Sequence, residues 1–170
     1  MDLKKFIRDV PDFPKPGIIF KDITPLLADK SAFAAMIDVF ADKYREAGIS
    51  KICGIESRGF IIGAALALRM NVGFVPIRKA GKLPCKSVRR EYSLEYGKDA
   101  IEIHADALKK GERVLLVDDL IATGGTALAA LALLEDIGAD VVGVTFVVEL
   151  EFLKGIEKFD RAKVFSLLKY

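Results

Sequence analysis

The sequence predicts an α/β fold: a central, mostly parallel sheet flanked by helices, with a small N-terminal hood. Three observations carry this. Short apolar runs such as Val114-Leu115-Leu116-Val117 read as strands buried on both faces. Ala/Leu-rich stretches between them read as helices, and strand–helix alternation sets parallel strands under helices on both faces. The 170 residues, 52% of them apolar, suit one domain over residues 1–170 with a real core.

The elements follow in order. Residues 4–9 read as a short helix. Val10-Pro11-Asp12-Phe13-Pro14-Lys15-Pro16-Gly17 reads as a fixed, extended loop, because its three prolines forbid a regular helix. With its neighbours it makes the hood, mainly residues 1–30. Residues 31–47 carry Phe33, Ile37, Phe40 and Tyr44 at helical spacing and stop at Gly48. Residues 51–55 are a strand and Glu56-Ser57-Arg58-Gly59 the turn after it. Residues 60–70 are almost wholly apolar and so read as a buried helix. Residues 72–77 are the next strand. Residues 78–90 are polar and basic and read as a loop, and 92–104 as one or two strands. Residues 113–117 are a strand, and 126–137 its helix, closed by Gly138. A strand over 141–150, a short helix near 152–158 and a strand over 162–168 complete the chain. There is no internal repeat, low-complexity segment or linker.

Ligands of such sheets bind at the carboxyl ends of the strands, so the loops after Ile55, Ile77, Val117 and Val148 should face one pocket. The richest chemistry lies in Asp118-Asp119-Leu120-Ile121-Ala122-Thr123-Gly124-Gly125-Thr126. A small, polar loop opening a helix lets backbone N–H groups approach a phosphate, and the helix dipole favours the anion. The paired acids suit the hydroxyls of an attached sugar or a hydrated divalent metal. A ribose 5-phosphate moiety satisfies both halves. Glu56-Ser57-Arg58-Gly59 repeats the strand–loop–helix layout with an arginine attached, so a ligand phosphorylated at both ends fits. The segment 78–90 carries six basic residues. At the mouth of an anion site it reads as a lid, over about residues 79–96. Arg78, Lys79 and Lys82 are best placed to meet charge accumulating on a leaving group. If the lid closes, Glu95 is placed to manage a proton on an incoming base. His104 alternates in a strand and reads as exposed, without a catalytic part.

Composition narrows the field. Lys and Arg total 26 against 24 Asp and Glu, a formal net charge of +2, which makes no general case for a nucleic-acid or membrane partner. Apolar stretches are interrupted before they reach spanning length. Met1-Asp2-Leu3-Lys4-Lys5-Phe6 lacks the apolar core and cleavage site of a signal peptide. Cys53 sits in an apolar strand and Cys85 in a basic loop, which is no disulfide framework, so a reduced, cytoplasmic protein is expected. One histidine and two cysteines argue against a zinc site.

The acid-pair segment resembles the phosphoribosyl-pyrophosphate signature of type I phosphoribosyltransferases. The resemblance to that family's adenine branch extends over essentially the whole chain. It is carried by Asp12-Phe13-Pro14-Lys15-Pro16-Gly17-Ile18-Ile19-Phe20-Lys21-Asp22-Ile23-Thr24-Pro25-Leu26-Leu27, by Gly54-Ile55-Glu56-Ser57-Arg58-Gly59-Phe60, by Phe74-Val75-Pro76-Ile77-Arg78-Lys79-Ala80-Gly81-Lys82-Leu83-Pro84, and by Tyr92-Ser93-Leu94-Glu95-Tyr96-Gly97. The hood and the Leu-Glu-Tyr-Gly run mark the adenine branch. The resemblance implies the type I phosphoribosyltransferase fold and one reaction: adenine plus phosphoribosyl pyrophosphate gives AMP plus diphosphate. Mg²⁺ is held mainly by the substrate, with no dedicated protein ligand. It implies that Ala122, Thr123, Gly124, Gly125 and Thr126 cradle the phosphate and that Asp118 and Asp119 hold the ribose. Glu56, Ser57, Arg58, Arg78, Lys79 and Lys82 serve the diphosphate, and Glu95 and Arg58 are catalytic. Phe20 and Leu120 enclose adenine, and backbone groups of Ile19 and Lys21 read its edge. Lys21 stands where this branch commonly has arginine. The Glu56–Ser57 peptide is cis in some members. A homodimer is implied, with the strand end at Arg78 reaching toward the neighbouring subunit's site. Two rivals stay open: a phosphoribosyltransferase for hypoxanthine, guanine or a pyrimidine, and a non-catalytic regulator that senses phosphoribosyl pyrophosphate and binds nucleic acid.

Overall fold

Strands of this chain are buried on both faces because alternate residues feed two separate cores. The structure, a computed structural model, describes residues 1–94, 97–160 and 163–170. Two short strands, β1 (Arg8–Pro11) and β2 (Ile19–Asp22), pair antiparallel as the hood. The main sheet is built from β3 (Lys51–Ile55), β4 (Gly73–Lys79), β5 (Ser87–Leu94), β6 (Gly97–His104), β7 (Arg113–Ile121), β8 (Asp140–Glu149) and β9 (Val164–Lys169). Its order is β5-β6-β4-β3-β7-β8-β9. The strands from β4 to β9 along that order are parallel, while β6 and β5 run antiparallel on the β4 edge. The helices are α1 (Thr24–Ala28), α2 (Lys30–Lys43), α3 (Arg58–Met70) and α4 (Gly125–Asp136).

Ile52, Leu115 and Val117 point into a core shared with Phe40 of α2 and with Ile62 and Leu66 of α3. Their neighbours Cys53, Leu116 and Val114 point into the opposite core, shared with Ala130, Leu133 and Leu134 of α4. This period of two under two helical layers holds the parallel sheet flat against both cores. The chain leaves β3 toward β4 on one side and returns to β7 on the other. That reversal opens a crevice at the carboxyl ends of β3 and β7, where α/β sheets bind ligands.

Several sequence expectations are corrected. Residues 4–9 are not one helix: a single 3-10 turn, Leu3–Phe6, gives way to β1. The proline-rich segment is bracketed by strands, with Pro11 opposite Ile19 at the end of a two-stranded edge, where a missing N–H is tolerated. Helix α2 starts where Asp29 Oδ1 accepts from the Ser31 and Ala32 N–H groups at 2.9 and 2.8 Å. It ends at Lys43, ahead of the expected 47. Helix α3 buries one face only: Ile62 and Leu66 are inside, while Ile61 and Leu68 are 47% and 84% exposed. The basic segment turns into strand at Ser87, because β5 finds a full antiparallel partner in β6. Strand β7 runs through both aspartates to Ile121. The expected helix near 152–158 is two 3-10 turns, Glu151–Leu153 and Gly155–Lys158, separated by Lys154 in the left-handed region (φ 54°). Cys53 is buried and Cys85 exposed, as expected. Among the described residues no helix is long and apolar enough to cross a membrane.

Candidate active site

The site is assembled by close backbone approaches that only glycine permits. At the start of α3, a Cβ on Gly59 would lie 2.9 Å from the Val117 carbonyl oxygen and 3.0 Å from Asp118 Oδ1. The β3–α3 turn is thereby pressed against β7, and Arg58 reaches Asp119, donating from Nε to its carboxylate. The Glu56–Ser57 peptide within this turn is cis. Asp118 Oδ1 accepts from the Asp119 N–H at 2.9 Å. Burial, and next the neighbouring Asp119 charge, push the Asp118 carboxyl well above the usual carboxylate range. Burial works against the Arg58 charge, but Asp119, and more weakly Asp118 and Asp22, outweigh it and raise that group.

The loop before α4 is supported from beneath. A Cβ on Gly155 would fall 2.1 Å from the Ala122 carbonyl oxygen, so the 3-10 turn there packs backbone to backbone on residues 122–123. Lys158 Nζ donates to the Thr123 carbonyl at 2.8 Å. The backbone N–H groups at the start of α4 thus face a cleft of about 850 Å³. Its lining includes Glu56, Ser57, Arg58, Lys79, Asp118, Asp119, Leu120, Ala122, Thr123, Gly124, Gly125 and Thr126. One cavity therefore gathers a helix start suited to a phosphate, two acids suited to vicinal hydroxyls, and the cations Arg58, Lys79 and Lys158.

The far wall holds residues that the sequence reading missed. Lys79 Nζ donates to Asp99 Oδ2 at 2.8 Å, and the Tyr92 hydroxyl lies 3.2 Å from the same oxygen. Thr126 Oγ1 lies 3.4 Å from the Tyr92 hydroxyl. Tyr92 and Asp99 are directly opposed across β5 and β6. Tyr92 opens the Tyr92–Gly97 run quoted above, but its pairing with Asp99 follows only from the register of that hairpin, so motif spacing could not reveal it. Lys158, from the segment after β8, also lines the cleft.

The phosphoribosyl transferase domain pattern matches residues 23–167. An adenine phosphoribosyltransferase of Halothermothrix orenii is 56% identical over 169 residues, 99% of each chain. This chain belongs to the phosphoribosyltransferase family, in its adenine branch. The crystal structure of an adenine phosphoribosyltransferase from Thermoanaerobacter pseudethanolicus superposes with a TM-score of 0.95 at 49% identity, covering 99% of this chain and 98% of that one. The Saccharomyces cerevisiae enzyme, crystallised with an imino-altritol bisphosphate and adenine, gives 0.93 at 45% identity, covering 98% and 97%.

The residues that the phosphoribosyltransferase resemblance singles out are not all in the cleft. Arg78 and Lys82 stand outside its lining. Both are drawn to Glu56, whose carboxylate accepts from Arg78 Nε at 3.3 Å, from the Lys79 N–H at 3.0 Å, and from Lys82 Nζ. Burial pushes Glu56 up, but these contacts, Lys82 first, outweigh it and hold the carboxyl below its usual range. Its side chain thus collects cations and is no anion ligand. Arg78 also donates to the Lys82 carbonyl at 3.0 Å, so it is turned onto its own chain. In the hood, the Phe20 ring meets Phe13 edge-on at 5.3 Å, and the Arg58 guanidinium carbon stands 5.7 Å from its centroid. Ile19, Phe20 and Lys21 stand outside the cleft's lining, and Phe20 approaches it through that arginine. Lys21 Nζ donates to Asp9 at 2.6 Å and lies 4.2 Å from the Tyr170 ring centroid. Glu95 lies outside the described residues. His104 is half-buried where exposure was expected, with Nε2 shielded and unpartnered among the described residues. It lines a separate cavity of about 270 Å³ with Lys51, Phe74 and Pro76. Among the described residues no group of three or more His, Cys, Asp or Glu is arranged to hold a metal.

Proposed function

We infer that this protein is an adenine phosphoribosyltransferase of purine salvage: it transfers the phosphoribosyl group of phosphoribosyl pyrophosphate to adenine, releasing AMP and diphosphate. The observation that carries the reading is the single cleft in which a phosphate cradle, an acid pair and cations converge. Residues 122–126 hold the 5-phosphate on backbone N–H groups, and Asp118 and Asp119 take the ribose hydroxyls. Arg58 and Lys79 meet the charge that builds on the departing diphosphate. Arg78 and Lys82 join them on release from Glu56. Mg²⁺, when bound, shields the diphosphate. The substrate's own oxygens would hold the ion, with no dedicated protein ligand. A ring nitrogen of adenine attacks the anomeric carbon, and Glu95 manages the proton on the base. The domain is residues 1–170, with a hood over 1–30 and a lid over 79–96. A cytoplasmic homodimer completes the reading.

Base choice follows from hydrogen-bond complementarity. Phe20 and Leu120 enclose adenine, and the backbone of Ile19 and Lys21 meets its amino donor and ring-nitrogen acceptor. Hypoxanthine presents a carbonyl and an N–H there, which inverts both pairings. Each buried mismatch costs about 1–3 kcal/mol, so two give at least about 30-fold preference for adenine. The test is incubation with labelled phosphoribosyl pyrophosphate, Mg²⁺ and each nucleobase in parallel. AMP should form from adenine far faster than the other nucleotides form. Comparable turnover of hypoxanthine would overturn the adenine assignment and leave the family standing.

A further inference from the structure

Resting on that reading, we infer that Tyr92 is a positioning residue for the phosphate end of the cleft, supplying Thr126 with the hydrogen bond that aims its hydroxyl at the substrate's 5-phosphate. Four side chains form a continuous polar line across the cleft wall. Lys79 Nζ reaches Asp99 Oδ2 at 2.8 Å, the Tyr92 hydroxyl reaches the same oxygen at 3.2 Å, and Thr126 Oγ1 stands 3.4 Å from Tyr92. All four line the cleft. They come from three places in the fold: the end of β4, the facing strands β5 and β6, and the first turn of α4.

The donor count decides what Tyr92 can do. Asp99 already takes Lys79 on Oδ2 and the Ala100 N–H on Oδ1 at 2.8 Å. Its charge is therefore met without Tyr92, and contact with Lys79 foremost holds this carboxyl below its usual range. Burial raises the Tyr92 hydroxyl above its ordinary value, so it keeps its proton at neutral pH. That proton has two oxygens in reach. Thr126 donates to Tyr92, and Tyr92 donates to Asp99. When a phosphate takes the Thr126 proton, Tyr92 turns its own onto Thr126 Oγ1. A hydroxyl that accepts one hydrogen bond is a better donor in the next, because successive bonds polarise one another. Tyr92 never touches the phosphate; it acts through Thr126.

The test is a double-mutant cycle of Tyr92→Phe and Thr126→Val, read by calorimetric titration with ribose 5-phosphate and, separately, with diphosphate and Mg²⁺. Tyr92→Phe keeps the ring and removes only the hydroxyl. It should weaken ribose 5-phosphate binding about three- to tenfold, the worth of one hydrogen bond. Diphosphate binding should change by less than about twofold, since Lys79 keeps Asp99. In the Thr126→Val background, Tyr92→Phe should have almost no further effect. A purely structural role for Tyr92 would weaken both ligands alike and add to the Thr126→Val loss. Either result, or an unchanged ribose 5-phosphate affinity, overturns the assignment. Failure of the unaltered protein to bind ribose 5-phosphate would overturn the phosphoribosyltransferase reading itself and this assignment with it.

Discussion

Asp118, proposed above to take a ribose hydroxyl, is held at a cost to the fold. Its carboxyl is pushed well above the usual range by burial and by the adjacent Asp119. For a carboxyl raised in the folded state, the unfolded chain loses its proton first. Stability is therefore intact below the ordinary aspartate value and falls as pH rises through that value toward the raised one. Asp118→Asn removes the titration and keeps a side-chain oxygen for the Asp119 N–H. Its melting temperature should exceed that of the unaltered protein at pH 8, and the gain should shrink toward pH 5. Each kcal/mol corresponds to about 2–4 °C in a chain of this size. The same variant should bind ribose 5-phosphate more weakly. Thermal melts across pH beside that titration check both parts, and a variant less stable at pH 8 would contradict the sign. Lys21 gives the opposite case. Its ammonium is spent on Asp9 and the Tyr170 ring, outside the cleft. Any contact it makes with the base is through its backbone. Lys21→Arg should leave the KM for adenine within about twofold, since one cation–π partner replaces another. A larger change would place the side chain in the base site.

At the level of elements, the sequence was readable where pattern and burial agree. Strand β3 is found over its full expected span, because an apolar run lies between a glycine-ended helix and a polar turn. Strand β7 was legible only to Val117. Aspartates are depleted in strands, and nothing local announces that Asp119 is held by an arginine 61 residues away. The first part of strand β5, residues 87–91, was hidden by its arginines and Glu91, whose pairing depends on β6, while its end from Tyr92 fell within an expected strand. Helix α3 is apolar nearly all round, so composition could not say which face the core would take. The loop before α4 was legible as a motif, but its support was not. Gly155 sits in what the sequence offered only as a short helix, and its role is a contact with residues 122–123. Gly155→Ala forces a methyl group against the Ala122 carbonyl. Such overpacking costs about 1–3 kcal/mol and must be relieved by moving the loop or the turn. Ribose 5-phosphate affinity should fall about tenfold or more, together with the melting temperature. A variant that melts lower but binds normally would show that the turn gives way and the loop does not.

Over the whole molecule, helix α3 joins the cleft to an uncovered apolar face. Its first residue, Arg58, enters the cleft and pairs with Asp119. One side of the helix packs Ile62 and Leu66 into the core, while Ile61 and Leu68 face outward at 47% and 84% exposure. They lie seven residues apart, two turns along one stripe, and α3 has no charged residue between Arg58 and Arg69. A second copy of the chain is the occupant expected for this stripe, consistent with the homodimer proposed above. Burying one leucine is worth about 1.5–3 kcal/mol, and a twofold-symmetric contact counts each substitution twice. Leu68→Glu should therefore raise the dimer dissociation constant by at least about 10²-fold and give monomers at micromolar concentration. Because the same helix carries Arg58, loss of the partner should loosen α3 and lower turnover in step with the dimer fraction. Sedimentation and steady-state assays on the same samples test the link. A monomeric unaltered protein with full turnover would overturn the dimer, and a fully active monomeric Leu68→Glu variant would show that the cleft works without it.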